Sequence, residues 1–451
     1  MLQSNRHSFG MYQEWYGRRA VKRVFVKRIF YLFGFPMFLV LALYKGTGGD
    51  PFHDRLARQP IASLRAESKY ELSKTEIQQL LADRRIFNFE KDGFEATYRG
   101  KPVWVDTSLD ISLQRYLKKK LKRSTSRYIG IVIMDAATGK ILSMVGYDKT
   151  DPSNNPCIDH RFPAASIFKI VTAAAVIETY GLAPNAEFTY NGRKYTLYKS
   201  QLKERRNRYT RKITLRDSFA QSVNPVFGKI GANRLGKIKL EKYAETFGFN
   251  RIIDFEIPFS PSSVTLSDEP YQLAEIASGF NRKTTLSALH GALLAAIIVN
   301  DGRFISPTII EKVTDEDGRI LYHSKHPELK EAISSEASQV VGTLMQATIR
   351  SGTSRKAFRG YRKDRVLSRL IIGGKTGSIY NKTRDARFDW FVGFAKEKRG
   401  PKKMTIAVVV AHEKYIGIRA SQYARMAIRH YFKNLYSKRT VQLNSEGKSS
   451  G

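Results

Sequence analysis

Residues 129–147 read IGIVIMDAATGKILSMVGY, two apolar β-rich runs on either side of Thr138-Gly139. Val and Ile suit a pleated, half-buried surface, and Gly allows a tight reversal, so the stretch predicts an antiparallel hairpin. Far along the chain three more such runs follow one another: IIGGKTGSIY at 371–380, RFDWFVGFAK at 387–396 and KMTIAVVVAH at 403–412. Glycine or charged turns separate them, and EKRGPKK at 397–403 suits a hairpin loop. Between the two β-rich regions the pattern is helical. Residues 161–182 carry an Ala-rich apolar stretch closed by Gly181, 218–231 and 241–249 predict short helices, and 284–302 predict another. Residues 420–436 predict a terminal helix. Strands contributed from both ends around a helical middle imply an α+β domain, with one mixed, largely antiparallel sheet flanked by helices.

Working outward, VWVDTSLDISLQRYLKKKL at 103–121 predicts a strand, a capping region and a helix with Leu113, Leu117 and Leu121 on one face. A folded domain is therefore expected at 103–436, preceded by a polar linker and small pedestal at 46–102 and followed by a flexible Ser/Gly-rich tail at 437–451. The uncharged run at 29–44 follows a leader bearing Arg18, Arg19, Lys22, Arg23, Lys27 and Arg28. Basic flank first and apolar run second predicts a transmembrane anchor at 29–45 with residues 1–28 in the cytoplasm. A cleaved signal peptide and a buried core helix are the competing readings of that run. The expected location is the cytoplasmic membrane, single-pass, with the folded domain on its outer side.

The chain has 451 residues and a formal charge of +36. Such a balance favours anionic partners without choosing among nucleic acid, lipid and wall polymer. The basic run KERRNRYTRK at 203–212 raises nucleic-acid binding, but no recognition motif accompanies it, and an outward-facing domain would not meet nucleic acid. Cys157 is the sole cysteine, which excludes an internal disulfide. No ligand cluster suggests a metal, and no motif calls for a cofactor. His160 and His290 are isolated and read as packing or surface residues.

The chemistry resides in three short segments. Ser166 and Lys169 stand three apart at the start of a predicted helix, so hydroxyl and amine share a face. A serine becomes a nucleophile when a neighbouring base takes its proton, and a lysine serves as that base once burial or a second cation lowers its pKa. Lys375 is the candidate second cation. Ser222-Val223-Asn224 offers a hydroxyl to pass protons and an amide to bond a peptide backbone. Lys375-Thr376-Gly377-Ser378 lies in a predicted strand, where Lys375 and the Thr376 hydroxyl can bind a carboxylate and small residues admit a substrate along the sheet edge. The amides of Ser166 and Ser378 are candidates for an oxyanion hole.

The ordered trio S-x-x-K, S-x-N, K-T-G resembles the penicillin-recognising serine enzymes. Across residues 103–435, blocks such as GIVIMDAATGKILSMVG, FPAASIFK, SVNPVF and DWFVGFA resemble high-molecular-mass penicillin-binding proteins. The resemblance implies a β-lactamase/transpeptidase-like fold and a D,D-transpeptidase that cross-links peptidoglycan stem peptides through an acyl-enzyme open to β-lactams. It implies that Lys169 activates Ser166, Ser222 relays a proton, Asn224 holds the substrate amide, and Lys375 with Thr376 reads the terminal carboxylate. Other wall-synthesis proteins are candidate partners. The region before Val103 is too short for the glycosyltransferase domain of bifunctional relatives, so a monofunctional enzyme is expected. A β-lactamase shares the motifs, but the anchor, the long interval from Ser222 to Lys375 and Asn224 itself argue against it. A D,D-carboxypeptidase and a non-catalytic wall-peptide or antibiotic sensor are the remaining alternatives.

Overall fold

The computed structural model describes residues 72–324 and 329–449. The leader and anchor expected at 1–45, and the first part of the linker, lie outside the described residues. Among the described residues no helix is long and apolar enough to cross a membrane.

Ser73 caps α1 (Lys74–Leu81) in a reciprocal arrangement with Glu76, and the hairpin β1 (Gly93–Tyr98) and β2 (Lys101–Thr107) follows. Asp110 caps α2 (Ile111–Lys120), which buries Leu113 and Leu117 as their spacing predicts. The expected central hairpin is β3 (Ser126–Asp135) and β4 (Ile141–Asp148), with Gly139 at φ +76° in the turn. A 3-10 turn, Ala165–Phe168, runs into α3 (Lys169–Tyr180). A small hairpin, β5 (Glu187–Tyr190) with β6 (Arg211–Thr214), leads to α4 (Leu215–Ala220), α5 (Asn224–Lys229), α6 (Gly236–Thr246), α7 (Pro270–Ser278) and α8 (Ala288–Val299). Four short strands, β7 (Arg303–Ile305), β8 (Ile310–Asp315), β9 (Ile320–His323) and β10 (Leu329–Glu331), precede α9 (Ser335–Arg350). The chain closes with β11 (Leu370–Tyr380), β12 (Arg387–Glu397), β13 (Lys403–His412) and α10 (Ala420–Ser449).

The main sheet has the order β11-β12-β13-β3-β4, assembled from both ends of the domain. It is antiparallel throughout, where a mixed sheet was expected. Every connection within it is either a hairpin or the long return from β4 to β11, and β13 enters beside β3 in the opposite direction. One face carries α2 and α10, whose Leu113, Leu117, Tyr423 and Ile428 pack on Ile131, Val408 and Val410. The other face carries α8, in which all residues are buried, so amphipathic periodicity vanishes because this helix has no solvent side. Gly291 lets α8 sit close, since a Cβ there would stand 3.0 Å from both Ala407 Cβ and Val392 Cγ2.

Two boundaries and two helices differ from expectation. The domain does not begin at Val103, because β2 pairs with β8 and with β1 in a second sheet, β1-β2-β8-β9, making residues 72–102 part of the same compact unit. Ile77, Leu81, Phe87 and Phe94 are buried there in the main core, so what reads as a polar pedestal carries an apolar stripe, and β2 ties its hairpin to a partner strand more than 200 residues later. The tail expected from 437 is helical to Ser449, and Arg439 binds buried Glu397 with Nη1 2.6 Å from Oε1. Finally, α7 and α9 were not foreseen, although Ser334 and the buried set Val341, Leu344, Met345 and Thr348 give α9 a cap and a helical stripe.

Candidate active site

The three segments meet at the junction of the helical layer and the free edge of β11. Lys169 opens α3 and is completely buried, with its Nζ 2.9 Å from Ser166 Oγ and 2.8 Å from Asn224 Oδ1. The carbonyl of Ser278, at the end of α7, is its third neighbour. Burial, and after it the charge of Lys375, hold the Lys169 amine well below its ordinary pKa. A neutral amine has two N–H donors and one lone pair. The Asn224 and Ser278 oxygens can only accept, so the lone pair is left for the proton of Ser166. Ser166 itself is half-buried and opens onto the cleft, the combination a nucleophile needs.

Lys375 is also completely buried, and burial lowers its pKa to about 7. Its Nζ lies 2.9 Å from Ser222 Oγ and 2.9 Å from the Thr376 carbonyl oxygen. Ser222 sits between α4 and α5 with φ +59°, and Ala165, before the nucleophile, has φ +50°. Left-handed backbone costs a non-glycine residue roughly 1–2 kcal/mol, and here it occurs on both sides of the reacting groups. The site is held in place by its surroundings rather than by local preference.

Asn224 is fixed from the β5–β6 excursion. Its N–H donates to the Lys194 carbonyl at 2.7 Å and its Nδ2 to the Tyr195 carbonyl at 3.1 Å. One Nδ2 hydrogen remains for a ligand. Gly377 brings β11 against the turn that carries the nucleophile, since a Cβ there would stand 3.2 Å from Ala165 Cβ and 3.3 Å from Ser166 N. The exposed hydroxyl of Ser378 donates to Asp389 Oδ1 at 3.2 Å. Asp389 is buried but ionised: burial opposes its charge, and His412, Arg419 and the Ala420 N–H outweigh it. An open cleft of about 860 Å³ is lined by Ser166, Ser222, Asn224, Thr376 and Ser378.

All eight residues singled out from the sequence thus fall in one place. Three contributors were missed. The Ser278 carbonyl is a main-chain acceptor, which no side-chain motif can announce. Thr353 Oγ1 lies 2.5 Å from Thr376 Oγ1 on a turn after α9, and Tyr195 lines the cleft from a loop that reads as polar filler. Pro270 and Gly279 do mark the ends of α7 in the sequence, but not what its last carbonyl faces. The isolated histidine His290 lies in the core, where its Nε2 contacts the Phe247 carbonyl at 2.7 Å and burial lowers its pKa to about 4. Cys157 is a packed thiol, pushed up to about 12 by burial. Among the described residues no cluster of His, Cys, Asp and Glu could hold a metal ion.

Comparison with known proteins bears on the family and the fold. The family model described as the penicillin binding protein transpeptidase domain matches residues 129–433. Stage V sporulation protein D of Bacillus subtilis is 24% identical over 312 residues, covering 64% of this chain and 47% of that protein. Peptidoglycan D,D-transpeptidase PbpA of Mycolicibacterium smegmatis is 25% identical over 317 residues, covering 62% of this chain and 61% of that protein. The chain therefore spans about half to three fifths of the length of these curated relatives. Among solved structures, the D,D-transpeptidase domain of a peptidoglycan glycosyltransferase from Eggerthella lenta superposes with a TM-score of 0.61 at 22% identity, covering 73% of this chain and 83% of that one. The imipenem acyl-enzyme complex of penicillin-binding protein A from M. tuberculosis does so with a TM-score of 0.59 at 20% identity, covering 72% and 79%. These likenesses extend to the fold.

Proposed function

The chain belongs to the penicillin-binding protein transpeptidase family, and from that premise we propose that it is a D,D-transpeptidase that cross-links peptidoglycan stem peptides through an acyl-enzyme on Ser166. The observation that carries the reading is the Lys169 amine, buried, with two acceptors occupied and its remaining position 2.9 Å from Ser166 Oγ. In this reading Lys169 takes the Ser166 proton as Oγ attacks the carbonyl of the D-Ala-D-Ala amide. The amides of Ser166 and Ser378 receive the developing oxyanion. Ser222, held by Lys375 at 2.9 Å, relays the proton that Lys169 took from Ser166 to the departing D-alanine nitrogen and so ends as the hydroxyl it began as. The Lys375 ammonium and the Thr376 hydroxyl hold the terminal carboxylate, and the free N–H of Asn224 holds a backbone carbonyl of the donor. An amine of a neighbouring stem then attacks the ester, and the proton path runs in reverse. β-Lactams enter by the same attack and leave Ser166 acylated.

The same reading places the domain outside the cytoplasmic membrane behind a single N-terminal anchor, as a monofunctional enzyme without glycosyltransferase activity. Its test has two parts. A fluorescent penicillin is expected to label the wild-type protein and not Ser166→Ala; a protein that stays unlabelled is a scaffold. Mass spectrometry after incubation with a D-Ala-D-Ala peptide and an amine acceptor then identifies the reaction. Cross-linked product supports the transpeptidase, while trimmed peptide alone would replace it with a carboxypeptidase, and rapid nitrocefin hydrolysis with a β-lactamase.

A further inference from the structure

The cleft continues past the three motifs, and its far end is built differently. Its lining carries Arg282, Lys356, Arg384, Arg387 and Arg419 against a single carboxylate, Asp389. Asp389 is already committed to Arg419, at 2.9 Å. Asp385, the acid of the β11–β12 turn, is held by Arg127 at 3.1 Å and by Thr383 at 2.6 Å. Arg282, Arg384 and Arg387 have no acidic partner among the described residues.

Two of these cations are fixed on the last residue of β11. Arg282 Nε donates to the Tyr380 carbonyl at 2.6 Å, which orients the guanidinium and leaves both Nη groups without a protein partner among the described residues. Arg387 is paired with Tyr380 across the ladder and stands with its guanidinium carbon 5.7 Å from the Tyr380 ring centroid. An oriented guanidinium with two free Nη groups matches a carboxylate, which accepts two parallel N–H bonds.

We propose that Arg282 and Arg387, at the Tyr380 end of the cleft, form a second anion subsite that reads a side-chain carboxylate on the donor peptide, upstream of the scissile amide. The proposal rests on the reading above, that the cleft takes a peptide donor. β11 is the edge strand of its sheet. A peptide laid antiparallel along that edge, with its C-terminal carboxylate at Thr376, runs upstream toward Tyr380. At a strand rise of about 3.3 Å per residue, the four steps from Thr376 to Tyr380 span roughly 13 Å, the length of three to four extended residues. The carboxylate then belongs to a residue just before the terminal dipeptide. The subsite makes donor recognition two-pointed, with one anion at each end, which fixes the direction in which the peptide lies.

The test uses two peptides ending in D-Ala-D-Ala that differ only at the preceding residue, which bears a side-chain carboxylate in one and the corresponding amide in the other. Each competes with a fluorescent penicillin for Ser166 of the full-length protein with no amine acceptor present, so that only donor binding is read. The carboxylate peptide is expected to protect Ser166 at about tenfold lower concentration, the scale of a charge-assisted bidentate contact. In R282Q/R387Q the difference between the two peptides is expected to disappear. Equal protection of the wild type by both peptides, or by neither, overturns the proposal, and this comparison decides even if the double variant fails to fold. A double variant that weakens both peptides alike also overturns it, assigning the arginines to the cleft wall. Preferential protection without release of D-alanine would leave the subsite standing and remove the transpeptidase reading. Equal release from both peptides would do the reverse.

Discussion

Lys169 and Lys375 share a buried site, and burial holds both amines below their ordinary pKa. Burial holds Lys375 near 7, so its ammonium is present below that pH and lost above it. Acylation of the free enzyme by peptides with a terminal carboxylate is therefore expected to fall as pH rises through about 7. Peptides with a C-terminal amide should lack that limb, and kcat/KM profiles of the two compare them directly. Lys169 is likewise held well below the ordinary lysine value, by burial first and then by the charge of Lys375. Lys169→Met is expected to lower the penicillin acylation rate by at least about a thousandfold while the fold survives, which stopped-flow labelling and circular dichroism together would record. Thr353→Val removes the one partner of the Thr376 hydroxyl among the described residues, 2.5 Å away. A net hydrogen bond is worth about 0.5–1.5 kcal/mol, so a two- to tenfold loss in kcat/KM for peptides is expected. The side chains of Ser166, Lys169, Ser222, Asn224 and Lys375 were legible as chemistry because each carries a reactive group at a telling interval. Thr353 and the Ser278 carbonyl were not, since a threonine on a turn and a main-chain oxygen carry no mark of what they face.

The end of α7 is the element on which the site leans. Gly279 closes that helix at φ +66°, and a Cβ there would stand 1.9 Å from the Ala165 carbonyl oxygen and 2.8 Å from the Ser166 amide nitrogen. Gly279→Ala is expected to cost more than about 3 kcal/mol by urea unfolding, because backbone rather than a flexible side chain must yield. Gly181, which closes α3 at φ +62° with open space around it, is the control. Gly181→Ala should cost only about 1–2 kcal/mol, the backbone term alone. The strands were the easier elements to foresee. β3, β4 and β11–β13 declare themselves by β-branched runs between turns, whereas nine-residue α7 lies inside a polar interval where short helical patterns do not stand out. The 3-10 turn before α3 is likewise a tertiary product, since Ala165 takes its left-handed backbone under contact with Gly279 and Gly377.

Across the whole molecule, the cleft lies where one layer meets another. Ser166 and Lys169 come from the helical layer, Lys375 and Ser378 from the sheet edge, and neither layer is a site alone. Two buried lysines with depressed pKa values also leave a mark on stability. Between about pH 7 and the ordinary lysine value near 10.4, the unfolded chain binds more protons at Lys375 than the folded one does. Stability from this group is therefore reduced below pH 7 and rises as pH climbs through that window. Lys375→Met is expected to flatten the rise between pH 7 and 9.5, as urea midpoints of the two proteins would record. The sequence by itself determined the α+β class, the strands at both ends of the domain and the eight candidate site residues, because these depend on local periodicity and on residue types rare in that order. Only the tertiary structure decided that residues 72–102 belong to the domain, that the sheet is antiparallel throughout, and that Lys169 is completely buried beside Ser166. Strand partners far apart in the chain, the direction in which β13 enters beside β3, and removal of an amine from water are all properties of packing, which no interval along the chain contains.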